Sequence, residues 1–325
     1  MSDTRPLVTL AVISYNHERF IAEAIDSALA QTYSPLEVVI SDDFSNDATF
    51  SVIEKIVSSY AGPHKIIVHR NERNLGLAEN VNKVWELSSG DLVVFQGGDD
   101  ISLPHRVSKL VETWESREPR PDLVYSGITR IDEDGSVISI NTIVAEKTPP
   151  IDDTITGRKV FVAGGCAAAY SRSLHFFVGP LGSDVIAEDF VYSFRALLGN
   201  GVAGIAEPLV LYRQHTASII GQLQTILNIK GRFDEKYLKA YVAQLVENKR
   251  AMDAYKAKRP YLRWLLNRRI NSFKMELRFS SSGIVKKCLL MIWAIGSLRS
   301  KTLRNMLRAL TETSAARQGE RNEGA

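Results

Sequence analysis

Cysteine is scarce: the chain has two among 325 residues, Cys166 and Cys288. Two thiols cannot build a disulfide framework or a cysteine-rich metal cluster, and a reducing compartment is the simpler expectation. Long apolar runs are also missing. The longest, residues 289–298, is about half of the ~18–20 residues needed to span a bilayer. The N-terminus (MSDTRPLVTLAVISYN) lacks the long apolar core and small-residue cleavage site of a secretory signal. The expected location is therefore cytoplasmic. Two phosphate-binding signatures are absent as well. Neither G-x-G-x-x-G nor G-x-x-x-x-G-K-[ST] occurs, so a dinucleotide fold or a P-loop is not expected.

What is present is an ordinary globular composition, 45% hydrophobic and 24% charged. Only the small, polar stretch from about residue 314 onward reads as disordered. Charge is unevenly placed. Residues 249–308 hold sixteen Lys/Arg against Asp253 and Glu276, a local +14 within a chain of net +3. Tyr255, Tyr261, Trp264, Phe273, Phe279 and Trp293 interleave with this charge. Such a region suits an anionic membrane surface, or a helical bundle with a solvated basic face. No nucleic-acid motif accompanies it, so nucleic acid is not an expected partner.

The first hundred residues alternate between continuous β-rich runs and helical patterns. Residues 8–13, 36–40, 65–69 and 91–95 read as strands, the first with the pattern of burial on both faces and the second and fourth also buried. Between the first two, Phe20, Ile21, Ala24, Ile25, Ala28 and Leu29 recur on one helix face. Four such units predict an α/β fold with a mostly parallel, Rossmann-like sheet. Ligands then bind beyond the carboxyl ends of the strands. Three strands end in polar or acidic sets there: Tyr15-Asn16, Asp42-Asp43 and Asp99-Asp100. Asp99-Asp100 follows two glycines and suits a hard divalent cation that keeps positions open for phosphate. The competing reading is a capping turn before Pro104. Asp42-Asp43 is likewise either a cap or an acceptor for a base. Beyond Pro104, strands over 122–132, 137–140 and 202–212 and a helix over 187–198 are expected, and the chain turns predominantly helical after about residue 221. The glycines of 160–170 suggest a close backbone approach to a ligand.

Six segments carry a resemblance to a known family: VISYNHERFIAEAIDSALAQTY (12–33), LEVVISDDFSND (36–47), NERNLGLAENVN (71–82), SGDLVVFQGGDDISLPHRV (89–107), AEDFVYSFRALLGNG (187–201) and LVLYRQHTASI (209–219). Their order and content resemble the family 2 glycosyltransferases of the GT-A fold. The resemblance implies an inverting enzyme that moves a sugar from a nucleoside-diphosphate donor to a hydroxyl of a saccharide or lipid-linked acceptor. Surface polysaccharide or lipopolysaccharide assembly is the implied setting, and Mg²⁺ or Mn²⁺ the implied cofactor. It implies a nucleotide-binding half over 1–110, an acceptor half over 111–220, and a helical basic extension over 221–325. Tyr15 and Asp43 resemble base contacts, with Asn16 beside them and Asn74 a further contact. Asp99 and Asp100 resemble the ribose and metal motif, and Asp189 the catalytic base. Glu188 is expected either to raise the pKa of Asp189 or to hold an acceptor hydroxyl. His215 resembles a contact to metal or diphosphate, with Arg213 nearby. Many relatives carry an acid where this chain has Gly97, which implies one carboxylate fewer. His17, His64, His69, His105 and His175 lack ligand spacing and read as ordinary polar residues. Two other classes remain: a non-catalytic nucleotide-sugar-binding scaffold, and a nucleotidyltransferase, which usually carries a basic Gly-rich N-terminal loop that VISYNHERF does not provide.

Overall fold

The computed structural model describes residues 5–141, 150–156, 161–216, 235–257 and 259–280. The first half is a run of strand–helix units. These are β1 (Val8–Ser14), α1 (Ile21–Leu29), β2 (Leu36–Asp42), α2 (Thr49–Ser59), β3 (Lys65–Arg70), α3 (Leu77–Leu87) and β4 (Leu92–Gly97). Short β5 (Ile101–Ser102) and α4 (Arg106–Glu115) follow. Then come β6 (Leu123–Ile131), β7 (Val137–Asn141), α5 (Ile151–Thr156), β8 (Ala168–Ser171), α6 (Arg172–Val178), α7 (Glu188–Leu198) and β9 (Val202–Arg213). Two long helices close the described chain, α8 (Glu235–Ala254) and α9 (Pro260–Ser280).

The strands form one sheet in the order β3-β2-β1-β4-β8-β6-β9-β5, with β7 on β6. β1, β2, β3 and β4 are mutually parallel. β8 enters antiparallel between β4 and β6, and β6 and β9 run parallel. The strand order reverses direction at β1, between β2 and β4. A crevice opens at such a reversal beyond the carboxyl ends.

Successive side chains of a strand point to opposite faces. Val8, Leu10 and Val12 therefore join Val38, Ile40, Leu92 and Val94 on one face, under Ile21 and Ile25 of α1, Ile53 of α2 and Leu110 of α4. Ala11, Val39, Val93 and Phe95 take the other face, under Val81 and Trp85 of α3 and Val191 and Tyr192 of α7. Helices on both faces explain why β1 and β2 are apolar almost throughout.

Helices α8 and α9 pack onto this body. Leu245, Met252, Leu262, Leu266 and Ile270 share a core with Phe194 of α7 and with Ile151 and Ile155 of α5. Fully buried Arg195 of α7 donates to Glu247 of α8 at 2.9 Å. Over the described residues 235–257 and 259–280 the two helices are thus packed on the sheet body. Tyr261 (66% exposed) and Trp264 (53%) still face outward, stacked at 6.0 Å with Arg268 over the Trp264 ring. The apolar segment 284–298 lies outside the described residues. Among the described residues no helix is long and apolar enough to cross a membrane.

Candidate active site

The parallel register sets the site. Ser14 pairs with Asp42, and Ile13 with Gly97, so the ends of β1, β2 and β4 lie along one edge. The turns beyond them are tied together. The Asp43 N–H donates to the Ser14 carbonyl at 2.9 Å, and the Gly98 N–H to the Ile13 carbonyl at 2.8 Å. The three polar sets expected at the strand ends thus meet at one place.

The β1 and β2 turns form the outer side. Tyr15 is 40% exposed at the edge. Asn16 has a left-handed backbone (φ 56°), and its side-chain oxygen accepts from the Asn46 N–H at 2.9 Å. Asp42 is structural: it accepts from Ser14 and from the Ser45 N–H. Asp43 reaches the 71–76 loop, accepting from Asn71 Nδ2, the Leu75 N–H and the Gly76 N–H, each at 2.8 Å. Asn74 is exposed on that same loop.

The acidic turn after β4 is the inner side. The Asp99 and Asp100 carboxylates both fold back over Gly97. A Cβ there would lie 2.5 Å from Asp99 Oδ1 and 2.8 Å from Asp100 Oδ2. Gly97 is thus more than a lost carboxylate, because it makes room for the two that follow. The pair then divides. Asp100 is 2% exposed and accepts the Arg213 N–H at 3.0 Å, which docks the end of β9 on the turn. Burial, and then the charge of Asp99, push its carboxyl well above the usual range. Asp99 also feels burial, but the hydrogen bond from His215 and the charges of His17 and His215 outweigh it and lower its pKa. His215 Nε2 lies 2.9 Å from Asp99 Oδ2, and His17 Nε2 lies 3.8 Å from the same oxygen. Ligand atoms of His17, Asp99 and His215 all fall within 4.8 Å of one another. One carboxylate and two imidazoles at that spacing fit a divalent cation. Asp100, also expected as a ligand, is outside this cluster. His17, which the sequence gave no ligand spacing, is inside it, and the correction follows from the β1 turn closing over the acidic one.

Arg213 was expected at the diphosphate, but its guanidinium is spent within the protein. It donates to the carbonyls of Asp99 and Glu133 and pairs with Glu23, and the residue is 2% exposed. It braces the acidic turn. Arg106, fully buried, does the same from α4, donating to the Phe95 and Cys166 carbonyls. Four histidines keep structural partners: His64 with the Gln31 carbonyl, His69 with Asn71, His105 with Glu207 and His175 with Tyr192.

Glu188 and Asp189 open α7, where helix polarity favours acids. A Cβ on Gly165 would overlap Glu188 Oε1, so that glycine lets the backbone close onto the acid pair. The Gly165 N–H donates to Asp189 Oδ2 at 3.2 Å. Burial raises the Asp189 carboxyl. Burial, and then the charge of Asp189, push Glu188 up to about 8. The like-charge effect anticipated on Asp189 therefore acts on Glu188 instead. The backbone at 165–166 touches both neighbourhoods: the Gly165 N–H holds Asp189, and the Cys166 carbonyl accepts from Arg106 at 2.7 Å.

A sheet of this order, with an acidic–imidazole turn at its carboxyl edge and an acid pair facing it, is the GT-A class of fold. The chain belongs to glycosyl transferase family 2, whose model matches residues 9–176. The uncharacterized glycosyltransferase alr2836 of Nostoc sp. is 31% identical over 220 residues, 65% of this chain and 66% of its own. The glucosyl-dolichyl phosphate glucuronosyltransferase of Haloferax volcanii is 33% identical over 124 residues, 38% of this chain and 37% of its own. Against other curated relatives the chain spans 23% to 60% of their length. Among solved structures, S. aureus TarS 1–349 in complex with UDP-GlcNAc aligns with a TM-score of 0.59 at 16% identity, covering 96% of this chain and 92% of that one. The mannosyltransferase PcManGT from Pyrobaculum calidifontis, in complex with GDP-Man and Mn²⁺, aligns with a TM-score of 0.53 at 17% identity, covering 95% and 87%. At those identities the likeness is one of fold.

Proposed function

We propose that the protein is an inverting, metal-assisted glycosyltransferase that takes a sugar from a nucleoside diphosphate and places it on a hydroxyl of a saccharide or lipid-linked acceptor. The observation that carries this is the pairing of two unlike acidic centres at one sheet edge. One is Asp99 with its imidazoles. The other is Glu188-Asp189, where the Gly165 N–H holds Asp189 beside Cys166, whose carbonyl accepts from Arg106. The first suits a donor diphosphate and the second an acceptor. Donors held by the fold neighbours, UDP-GlcNAc and GDP-Man with Mn²⁺, support the same class of substrate.

In this reading Tyr15, Asn16, Asp43 and Asn74 hold the base end of the donor. Asp99 and His215 would hold a divalent cation, with Asp100 fixing the turn through the Arg213 N–H. When bound, that cation supplies charge stabilisation for the departing diphosphate. Asp189 removes the proton of the acceptor hydroxyl, and its raised pKa makes it a stronger base for that task. The acceptor oxygen then bonds to the anomeric carbon from the face opposite the diphosphate. The bond from that carbon to the diphosphate breaks, and its electron pair leaves with the nucleotide. Glu188, its carboxyl pushed up by burial and by the charge of Asp189, holds an acceptor hydroxyl. The 1–110 and 111–220 portions divide donor and acceptor duties, and the basic extension brings the enzyme to the inner face of an anionic membrane, in surface polysaccharide or lipopolysaccharide synthesis.

The test is a panel of nucleotide sugars screened for hydrolysis with Mn²⁺, with Mg²⁺ and with chelator. Release of a nucleoside diphosphate from one donor, abolished by chelator, is the expected result. No release from any donor under any metal would remove the enzyme reading.

A further inference from the structure

Half-buried Arg130 of β6 has no partner. Its Nε is sealed from solvent without a hydrogen bond, and among the described residues nothing accepts from its guanidinium or pairs with it. The arginines around the site are otherwise engaged. Arg19 pairs with Glu133, Arg106 donates to Ser102 and to two carbonyls, and Arg213 pairs with Glu23. A sealed polar atom without a bond costs stability, and such an orphan in a native structure calls for a missing partner. The strand register says where Arg130 points. It pairs with Tyr212 of β9, and Ile131 pairs with Arg213. The Arg213 side chain runs to Glu23 of α1, so Tyr212 and Arg130 take the opposite face, the one under α7. On β7 the neighbour of Arg130 is Ser139, whose side chain is short. β8 pairs with β6 through Ala168 and Tyr125, so the 165–167 turn before β8 runs on beside the end of β6. Gly165 in that turn holds Asp189. Arg130 thus belongs to the side of Glu188-Asp189 rather than to the edge of Asp99 and its imidazoles.

We propose that Arg130 binds an anionic group of the acceptor, a carboxylate or a phosphate near the hydroxyl that receives the sugar, so that the enzyme takes acidic acceptors over neutral ones. The inference rests on the reading of Glu188-Asp189 as the acceptor end. The base there is itself an acid and repels an anionic acceptor, and a fixed guanidinium offsets that repulsion. A neutral saccharide needs no such cation. A guanidinium in contact with Asp189 would lower its carboxyl, whereas burial raises it, so the cation stands apart from the base and stays available. Its planar fork suits carboxylate and phosphate oxygens, and its charge is not lost near neutral pH. The donor diphosphate is the rival anion, and its counter-charge is the cation expected at Asp99 and His215.

The experiment uses the full chain loaded with Mn²⁺ and UDP or GDP. Glucose, glucuronate and the anomeric phosphate of glucose are titrated in by calorimetry. Glucuronate stands for an acidic saccharide, and the sugar phosphate for a phosphate-linked carrier. At least one acid should bind about tenfold or more tightly than glucose. Arg130→Gln should weaken that acid on the order of 10–100-fold and leave glucose unchanged. Arg130→Lys should recover part of the loss, because it keeps the charge without the fork. Nucleotide binding with Mn²⁺ should match the wild type in both variants, and urea unfolding midpoints check the fold. A wild type that binds no acid more tightly than glucose would overturn the proposal. So would an R130Q variant that keeps the wild-type preference. Loss of nucleotide binding in R130Q to the same extent would move the guanidinium to the donor and overturn it as well. If the wild type binds nucleotide with metal but favours no acid, the donor-site reading stands and only the role of Arg130 falls. If no nucleotide binds, the donor-site reading falls by itself, and the acid preference is read from the unloaded chain.

Discussion

Replacing Glu188 with Gln should stabilise the protein, and increasingly so as the pH rises. Glu188 is buried at the start of α7, with Gly165 against its carboxyl and Asp189 beside it. Burial, and then the charge of Asp189, push its carboxyl up to about 8 in the folded chain, against 4.5 for the free side chain. Between those values the unfolded chain gives up a proton that the folded chain retains. Stability from this group is fully present below the unfolded pKa and is lost as pH rises through the folded one. A shift of that size corresponds to at most about 5 kcal/mol at about 1.4 kcal/mol per unit. Because part of that shift is the charge of Asp189, whose own carboxyl also titrates, a rise of about 2–4 kcal/mol is expected. Gln has nearly the same shape and cannot ionise. The assay is urea unfolding of both proteins between about pH 4 and pH 9. The two should be nearly equal at the acid end, diverge through neutrality and run parallel above about pH 8. A difference that does not change with pH would refute the burial argument for this carboxyl.

Asp189→Asn should lower the transfer rate on the order of 10²–10⁴-fold while leaving donor binding intact, and near-wild-type transfer in a folded variant would end its role as base. Arg213→Ala should cost about 3 kcal/mol by urea unfolding, because it strips a donor from the Asp99 and Glu133 carbonyls. A loss under about 0.5 kcal/mol would show that Arg213 does not brace the turn. Anionic vesicles should float the full chain at low salt and release much of it at high salt, with Tyr261→Ala and Trp264→Ala each weakening the association. Failure to float on anionic vesicles at any salt would exclude the membrane role.

Three strands of the parallel half are plain in the sequence because they are buried on both faces. Residues 8–13, 36–40 and 91–95 have no polar face to confuse with a helix. β8 was harder. Ala168–Ser171 is four residues inside an apolar, glycine-containing stretch, and nothing local says that it pairs antiparallel between β4 and β6. The division of labour between Asp99 and Asp100 is equally illegible. Both sit in one dipeptide, and only the Arg213 N–H arriving from β9 decides which carboxyl turns inward. His17 has no ligand spacing in the sequence, because its partner His215 arrives from the end of β9. Gly98 was the available signal, since the β4 turn needs a residue without a side chain where the ring of His17 packs.

The central claim is that the carboxyl edge at Asp99 holds a nucleoside diphosphate through a divalent cation. Calorimetric titration of UDP and GDP into the wild type and Asp99→Ala, with Mn²⁺ and with chelator, tests it most directly. At least one nucleotide should bind the wild type only with metal present, and Asp99→Ala should lose that binding while remaining folded. Equal binding in chelator, or unchanged metal-dependent binding in Asp99→Ala, would contradict the account.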